Sequence, residues 1–379
     1  METLKTQLVV IGAGLAGITA ALTSQNKIKD IVLINKGEIF ASGSTFRNRN
    51  HCWGITYAGN DGEKDILYDT IRKISKGTNT ARLSRILVEE SQQAFQLLTD
   101  WGTSFRRDAK GSINRIRPCF CEQPLAAIIT STEKFAHRLA KRLATSKIRA
   151  LGKTVASQLL LEHDRITSLI AESAGREIKI SCRAIILACG GGAASFHPNI
   201  VDPGLTGDGY TLLRQLGVKL HNMQFVQAVW EDVSPEAPRF QLGCFADGNH
   251  VFFDRHNKEI PLPPPATQLS KSRLGHVSIS NLQADHQFDA PLLTAAEKSP
   301  IKVVRITTNE TINTLLPHIQ VCNGGVLVTE HGETGVNGLF AAGEITTGMH
   351  GGDRIGGIMI ANCLVFGKRA ADAAIRYLS

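Results

Sequence analysis

The chain has no apolar run near the ~20 residues that a membrane-spanning helix needs, which excludes a helical membrane anchor within it. It leaves no room for a signal peptide. Met1-Glu-Thr-Leu-Lys5 leads almost at once into the apolar run Leu8-Val-Val-Ile11. These two absences predict a cytoplasmic protein. The eight cysteines show no zinc or iron–sulfur spacing, and the only close pair, Cys119-Phe-Cys121, is not C-x-x-C. Buried free thiols and no metal site are expected, with Cys189 and Cys322 worth following because both adjoin glycine-rich segments. No basic run is interleaved with aromatics, so nucleic acid is not an expected partner. Internal repeats and low-complexity segments are absent.

What is present is a globular composition. The chain has 379 residues, 42% hydrophobic and 20% charged, enough for more than one domain. The formal charge is +8 with pI near 9.1. The basic residues are dispersed apart from a cluster between Lys134 and Lys147. Such a field favours an anionic substrate or an acidic redox partner; it also fits an ordinary solvated surface.

Two glycine segments, one near each end, carry the chemistry. Leu8–Ile11 reads as a buried parallel strand, and Gly12, Gly14 and Gly17 follow as G-x-G-x-x-G. The first glycine makes the turn, the second lets backbone approach a pyrophosphate, and the third lets helix and strand pack closely. Leu15 to Leu22, with Ala16 in its first turn, reads as a helix whose N-terminus faces phosphates. Ile31-Val-Leu-Ile34 is the second strand. It ends in Asn35-Lys36 where an acid for a ribose hydroxyl is usual; asparagine can still accept that bond, without charge.

The second segment is Gly338-Leu-Phe-Ala-Ala-Gly343-Glu344, followed by His350-Gly-Gly-Asp-Arg-Ile-Gly-Gly357 and the apolar stretch from Ile358 to Ala374. It reads as strand, glycine turn, loop and helix. Glu344 is placed to reach a ribityl or ribose hydroxyl. The helix N-terminus at Gly357 and Ile358 would turn amides and a positive dipole end toward a flavin's pyrimidine edge. The first segment alone means a dinucleotide. The pair means FAD, whose binding folds close the sheet around the cofactor with their last segment. The competing reading of either segment is a plain packing turn.

With further motifs the chain resembles the flavoprotein subunits of succinate dehydrogenase and fumarate reductase, together with L-aspartate oxidase and soluble flavocytochrome fumarate reductases. The matching segments are Asn35-Lys-Gly37, Ser42-Gly-Ser-Thr45, Ala188-Cys-Gly-Gly-Gly192, Thr206-Gly-Asp-Gly209, Leu220 to Gln227, Asn323-Gly-Gly325 and Glu344 to Arg354. The resemblance implies an α/β Rossmann-like FAD-binding domain with an inserted α+β capping domain. The expected division is 1–228 for the first part of the FAD domain, 229–321 for the cap and 322–379 for the second part. Respiratory relatives and L-aspartate oxidase carry a further helical domain, so a chain stopping at Ser379 reads as the minimal catalytic core.

Within the FAD domain, Asp65 to Gly102 reads as two helices and Thr132 to Ala144 as another. Val155 to Leu161, Arg165 to Ser173 and Glu177 to Ser181 read as a β-meander. In the cap, Pro261-Leu-Pro-Pro-Pro265 breaks regular structure.

The resemblance assigns cofactor contacts to Gly12, Gly14, Leu15, Ala16, Gly17, Asn35, Lys36, Ser42, Ser44, Thr45, Gly190, Asp208, Gly343, Glu344, Gly357 and Ile358. Relatives that attach FAD covalently use a histidine in S-H-T; here Gly43 precedes Ser44-Thr45, so non-covalent FAD is expected. His51 and Trp53 are candidates for lining the flavin pocket. Family enzymes hold a dicarboxylate between flavin and cap, and pass hydride to or from flavin N5. Arg354 matches the clamp arginine, its planar fork suited to a carboxylate; the alternative is a structural ion pair with Asp353 or Glu344. His350 matches a histidine beside the flavin, for ring positioning more than acid–base work. For the cap's proton-donating arginine the candidates are Arg273, Arg239 and Arg255, with Arg273 preferred.

Two family histidines are missing. The motif F-[IV]-Q-x-H-P-T puts Val229 at one, in Phe225-Val-Gln-Ala-Val-Trp-Glu231, and Gln320 stands at the other. Fumarate and succinate are therefore expected to be poor substrates. Trp230 and Glu231 offer either a flat wall with a charge for a larger, less acidic substrate, or packing at the domain hinge. The sequence thus predicts a soluble FAD-dependent oxidoreductase acting on a bond next to a carboxylate or carbonyl. Two alternatives stay open: an amino-acid oxidase resembling L-aspartate oxidase, and a catalytically reduced flavoprotein subunit of an electron-transfer complex. The partners expected are a small anionic or carbonyl-containing substrate and a redox partner protein.

Overall fold

Leu8–Ile11, Ile31–Ile34 and Ala184–Leu187 are buried at every position. A strand covered on both faces by helices can be uniformly apolar, and such strands pair in parallel. They form the middle of a five-stranded, all-parallel sheet in the order Leu339–Ala341, Ala184–Leu187, Leu8–Ile11, Ile31–Ile34, Ile148–Leu151. The last of these is an edge strand, and its two central residues are exposed. The computed structural model describes residues 2–47, 53–234, 249–264, 277–280, 282–297 and 299–379.

The helix Leu15–Ser24 follows the first of these strands, and Ile358–Leu378 lies against it. They pack closely because Gly367 has no side chain; a Cβ there would stand 2.8 Å from Ala16 O. The β-meander forms as expected, with strands Thr154–Glu162, Arg165–Ser173 and Arg176–Ser181 antiparallel in sequence. Glu2–Lys5 adds a fourth, parallel strand to it. The stretch read as two helices holds three: Asp61–Ser75, Ala81–Glu89 and Ser91–Asp100. Asn60 starts the first, accepting from Glu63 N–H at 3.0 Å. The second gives way to the third at Glu90, which neither a proline nor a glycine marks. Thr132–Ala144 is a helix with Phe135, Leu139 and Leu143 on its buried face.

A second apolar core stands apart from the first. It consists of Trp230, Phe252, Ile260, Phe288, Leu292, Ala296, Ile301, Val303 and Leu315. Its frame is a five-stranded antiparallel sheet in the order His250–Phe253, Ile301–Arg305, Glu310–Cys322, Val226–Asp232, Ser278–Ile279. The helix Gln283–Ala296 covers one face with Phe288 and Leu292. This is the α+β unit expected between the two parts of the FAD domain. Among the described residues, no helix is long and apolar enough to cross a membrane.

Candidate functional site

A cavity of about 510 Å³ opens at the carboxyl ends of the central strands, in the size range of small-molecule sites. Its wall brings together most of the predicted cofactor residues: Gly12, Gly14, Leu15, Ala16, Asn35, Lys36, Ser42, Ser44, Thr45, Gly190, Asp208, Gly343 and Glu344. Trp53 lines it as well, and Cys363, Met359 and Ile360 contribute from the last helix. His51 lies outside the described residues. Gly17, Gly357 and Ile358 are not on the wall.

The glycine turn is constrained by contact. Gly12 has φ +105°, and a Cβ on it would lie 2.3 Å from Ala188 O. A Cβ on Gly17 would lie 1.8 Å from Gly12 O. Gly17 therefore acts behind the turn, closing helix onto strand, and does not face the cavity. Asn35 braces the turn from the other side. Its Oδ1 accepts from Ala13 N–H at 2.9 Å, and its amide donates to Gly37 O and Ser42 Oγ, each at 2.9 Å. The neutral amide can donate as well as accept, which a carboxylate could not do here. Thr45 Oγ1 caps the helix start, accepting from Leu15 N–H at 3.1 Å. Lys36 Nζ pairs with Asp208 Oδ2 at 2.7 Å and also donates to Thr206 Oγ1, tying the second strand's end to the helix Asp208–Gln215.

Glu344 is held in a small space. A Cβ on Gly191 would stand 2.3 Å from Glu344 Oε1, and that oxygen accepts from Cys322 N–H at 3.3 Å. Burial pushes its carboxyl up to about 7, against the pull of that bond and of Arg354. Burial likewise pushes the thiols of Cys189 and Cys363 up to about 12 and Cys322 up to about 11. Raised thiols stay protonated; Cys322 is buried as expected, whereas Cys189 and Cys363 are only half-buried and stand on the cavity wall.

Among the buried polar atoms with no partner within the described residues are Gln227 Oε1, Asn323 Oδ1, both ring nitrogens of His350, and Arg354 Nε. His350 and Arg354 lie together near Glu344. Buried polar atoms in native proteins are nearly always paired, so these are candidates for contact with a ligand. Burial holds His350 down to about 3, with Arg354 adding to the effect, so its ring is neutral. Arg354 is half-buried, and the same desolvation lowers its pKa while Glu344 opposes. Asn323 ties the cap strand to this loop, donating from Nδ2 to Gly352 O at 2.9 Å. The helix start is fixed from below: Thr56 Oγ1 donates to Gly356 O at 2.6 Å.

Residues 7–239 and 266–360 match the family described as the FAD binding domain. The chain belongs to this family. It is 26% identical to L-aspartate oxidase of Bacillus subtilis over 402 residues, covering 98% of this chain and 72% of that protein. It is also 26% identical to a fumarate reductase (CoM/CoB) polypeptide of Methanothermobacter marburgensis, covering 99% of this chain and 73% of that one. Among solved structures, the quinol fumarate reductase of E. coli superposes with TM-score 0.80 at 19% identity, over 100% of this chain and 71% of that one. A 3-ketosteroid dehydrogenase from Rhodococcus jostii superposes with TM-score 0.65 at 14% identity, over 98% and 97%. This FAD binding domain protein is an FAD-dependent oxidoreductase of the fumarate reductase and L-aspartate oxidase family, and its cofactor is FAD.

For several residues the structure decides what the sequence left open. Trp230 is fully buried in the cap's core, and its indole N–H donates to Asp289 Oδ1 at 3.1 Å. It is no wall of a substrate site. It alternates with Val229 along one strand, so the two point to opposite faces. Arg255 is exposed on the turn after the edge strand His250–Phe253. Arg239 and Arg273 lie outside the described residues. The motif positions also passed over His318, which is buried directly across the ladder from Val229. No signal in the local sequence joins residues so far apart; strand register does.

Proposed function

We propose that FAD occupies the cavity and that a substrate carrying a carboxylate or carbonyl docks beside it, between Arg354 and the cap sheet. The observation carrying this reading is Arg354 Nε, buried and unpaired on a loop that leads into the last helix. The donor set fits the cofactor. The glycine turn and the first amides of the helix Leu15–Ser24 suit a pyrophosphate, while Lys36, Asp208 and Glu344 suit hydroxyl groups. Bound FAD supplies a two-electron acceptor or donor.

The chain's own residues do the rest. The Arg354 fork binds the carboxylate or carbonyl oxygen and draws electron density from the adjacent bond. His350, neutral, holds the geometry around it and adds no charge. The sheet that carries Val229 closes the site from solvent, as a cap. Arg273 is our choice for the residue that exchanges a proton with the substrate carbon. Fumarate reductase and L-aspartate oxidase name dicarboxylates, and the ketosteroid dehydrogenase names a ketone; each of these compounds offers a carbonyl carbon beside which a bond can react. A second protein is proposed as electron partner, since a relative in Proteus vulgaris is named as a fumarate reductase flavoprotein subunit.

Anaerobic stopped-flow of the purified holoprotein tests this reading. Saturated acids and ketones should bleach the flavin, or their unsaturated counterparts should reoxidise it after chemical reduction. No response across both panels would refute it.

A further inference from the structure

Of the described residues lining the cavity, one carries a buried polar atom with no hydrogen-bond partner among the described residues: Asp202, at Oδ2. The residue is 5% exposed. The other carboxylates on the wall are engaged. Asp208 accepts from Lys36 and Thr206, Glu38 pairs with Lys153, and Glu344 accepts from Cys322 N–H. Asp202 Oδ1 is engaged too, accepting from Gly204 N–H at 2.7 Å. That bond, with Leu205 N–H on Asp202 O at 3.0 Å, fixes how the carboxylate is presented. A buried carboxylate oxygen without a donor is costly, so a donor from outside the chain is expected.

The cation beside it is Arg47, whose Nη1 lies 3.7 Å from that oxygen, beyond hydrogen-bond range. The Arg47 side chain is 64% exposed. So loose a pair contributes little, and the guanidinium can turn aside for a ligand. Arg47 follows the short helix Gly43–Phe46. Thr45 of that helix holds Leu15 N–H, at the helix start suited to a pyrophosphate. Asp202 therefore stands at the middle of a bound dinucleotide and not at either ring. In FAD the pyrophosphate is flanked by two sugars, the ribityl chain and the adenosine ribose, and their hydroxyls are the donors there. A carboxylate is an acceptor, so a hydroxyl suits it and a phosphate oxygen does not.

We propose that Asp202 Oδ2 accepts a hydrogen bond from a sugar hydroxyl of FAD, with Arg47 as the cover that gives way to it. The inference rests on FAD occupying the cavity, and adds a contact that the glycine turn, Lys36, Asp208 and Glu344 do not provide. It also accounts for a carboxylate set in a cavity for an anionic cofactor. Without such a bond, Asp202 would only repel the pyrophosphate.

The test uses Asp202→Asn, which keeps an oxygen for Gly204 N–H and removes the charge. Holoprotein is filtered at a series of dilutions and the FAD in the filtrate is measured. ADP or FMN, added as competitor, reports the affinity of each half of the cofactor through the FAD it displaces. The variant should hold FAD about tenfold more weakly, the difference between a hydrogen bond to a charged acceptor and one to a neutral acceptor. A matching loss for ADP but not FMN puts the hydroxyl on the ribose, and for FMN but not ADP on the ribityl chain; either result supports the proposal. FAD held as tightly, or more tightly through relief of repulsion, would overturn it. So would a loss for FAD shared by both competitors or by neither, since one hydroxyl belongs to one half. Asp202→Ser, which also keeps an oxygen for Gly204 N–H, serves if Asp202→Asn does not fold. A parent that holds no FAD would overturn the cofactor reading as well; an FAD-loaded parent with an indifferent variant overturns the role of Asp202 alone.

Discussion

Trp230 Nε1 donates to Asp289 Oδ1 at 3.1 Å inside the cap, and the indole is fully buried among Phe288, Leu292 and Leu315. This bond ties the strand Val226–Asp232 to the helix Gln283–Ala296. Trp230→Ala should destabilise the protein by about 3–5 kcal/mol, and Trp230→Phe by about 1–3 kcal/mol, since Asp289 then loses a buried donor. Urea unfolding followed by fluorescence measures both. A Trp230→Ala variant of parental stability would mean that the indole serves a ligand and not the core.

FAD is expected to leave the denatured protein. Gly43 precedes Ser44-Thr45, where covalent relatives have a histidine. Acid precipitation should put the yellow chromophore in the supernatant. Colour remaining in the pellet would reveal a covalent link from another residue.

Gly17→Ala should abolish FAD binding. The new Cβ would meet Gly12 O at 1.8 Å, and relief requires the turn to open, a strain of about 1–3 kcal/mol or more. Absorbance at the flavin band per mole of purified protein measures this. Gly62→Ala is the control, because it lies away from the cavity at an exposed position of the helix Asp61–Ser75 and its Cβ would meet only Asn60 Oδ1, at 3.5 Å.

Arg354→Lys should lower kcat/KM by the equivalent of about 2–4 kcal/mol while FAD content stays near that of the parent. Lysine keeps the charge and loses the fork. Loss of FAD instead would make Arg354 structural.

Glu344 and His350 predict opposing pH dependences of stability. Burial raises the Glu344 carboxyl from 4.5 to about 7. Its contribution is full below pH 4.5 and is lost as pH rises through 7. Burial lowers His350 from 6.5 to about 3, so its contribution is full above pH 6.5 and is lost as pH falls through 3. Between pH 4.5 and 6.5 the two slopes offset. Glu344→Gln should therefore make stability rise with pH across that window, and His350→Gln should make it fall. Thermal unfolding of the three proteins measures this; parallel profiles would show that neither group titrates as described.

The legible parts of this chain are those where one short segment carries its own physical reason. Leu8–Ile11 with Gly12, Gly14 and Gly17 could be read at once, because an apolar strand, a forced positive φ and a close packing contact are all local. Thr132–Ala144 could be read from its periodicity, and the meander from its alternation. The junction between Ala81–Glu89 and Ser91–Asp100 could not, because Glu90 breaks the helix without a proline or glycine. The site divides in the same way. The sequence by itself determined the nucleotide turn, the Glu344 to Arg354 segment and hence the family, since their chemistry lies in contiguous residues. Only the tertiary structure decided that Trp230 turns into the cap's core and that His318 stands beside Val229. Those outcomes depend on which face of a strand meets which layer and on the register of strands distant in sequence, and long-range packing alone sets both.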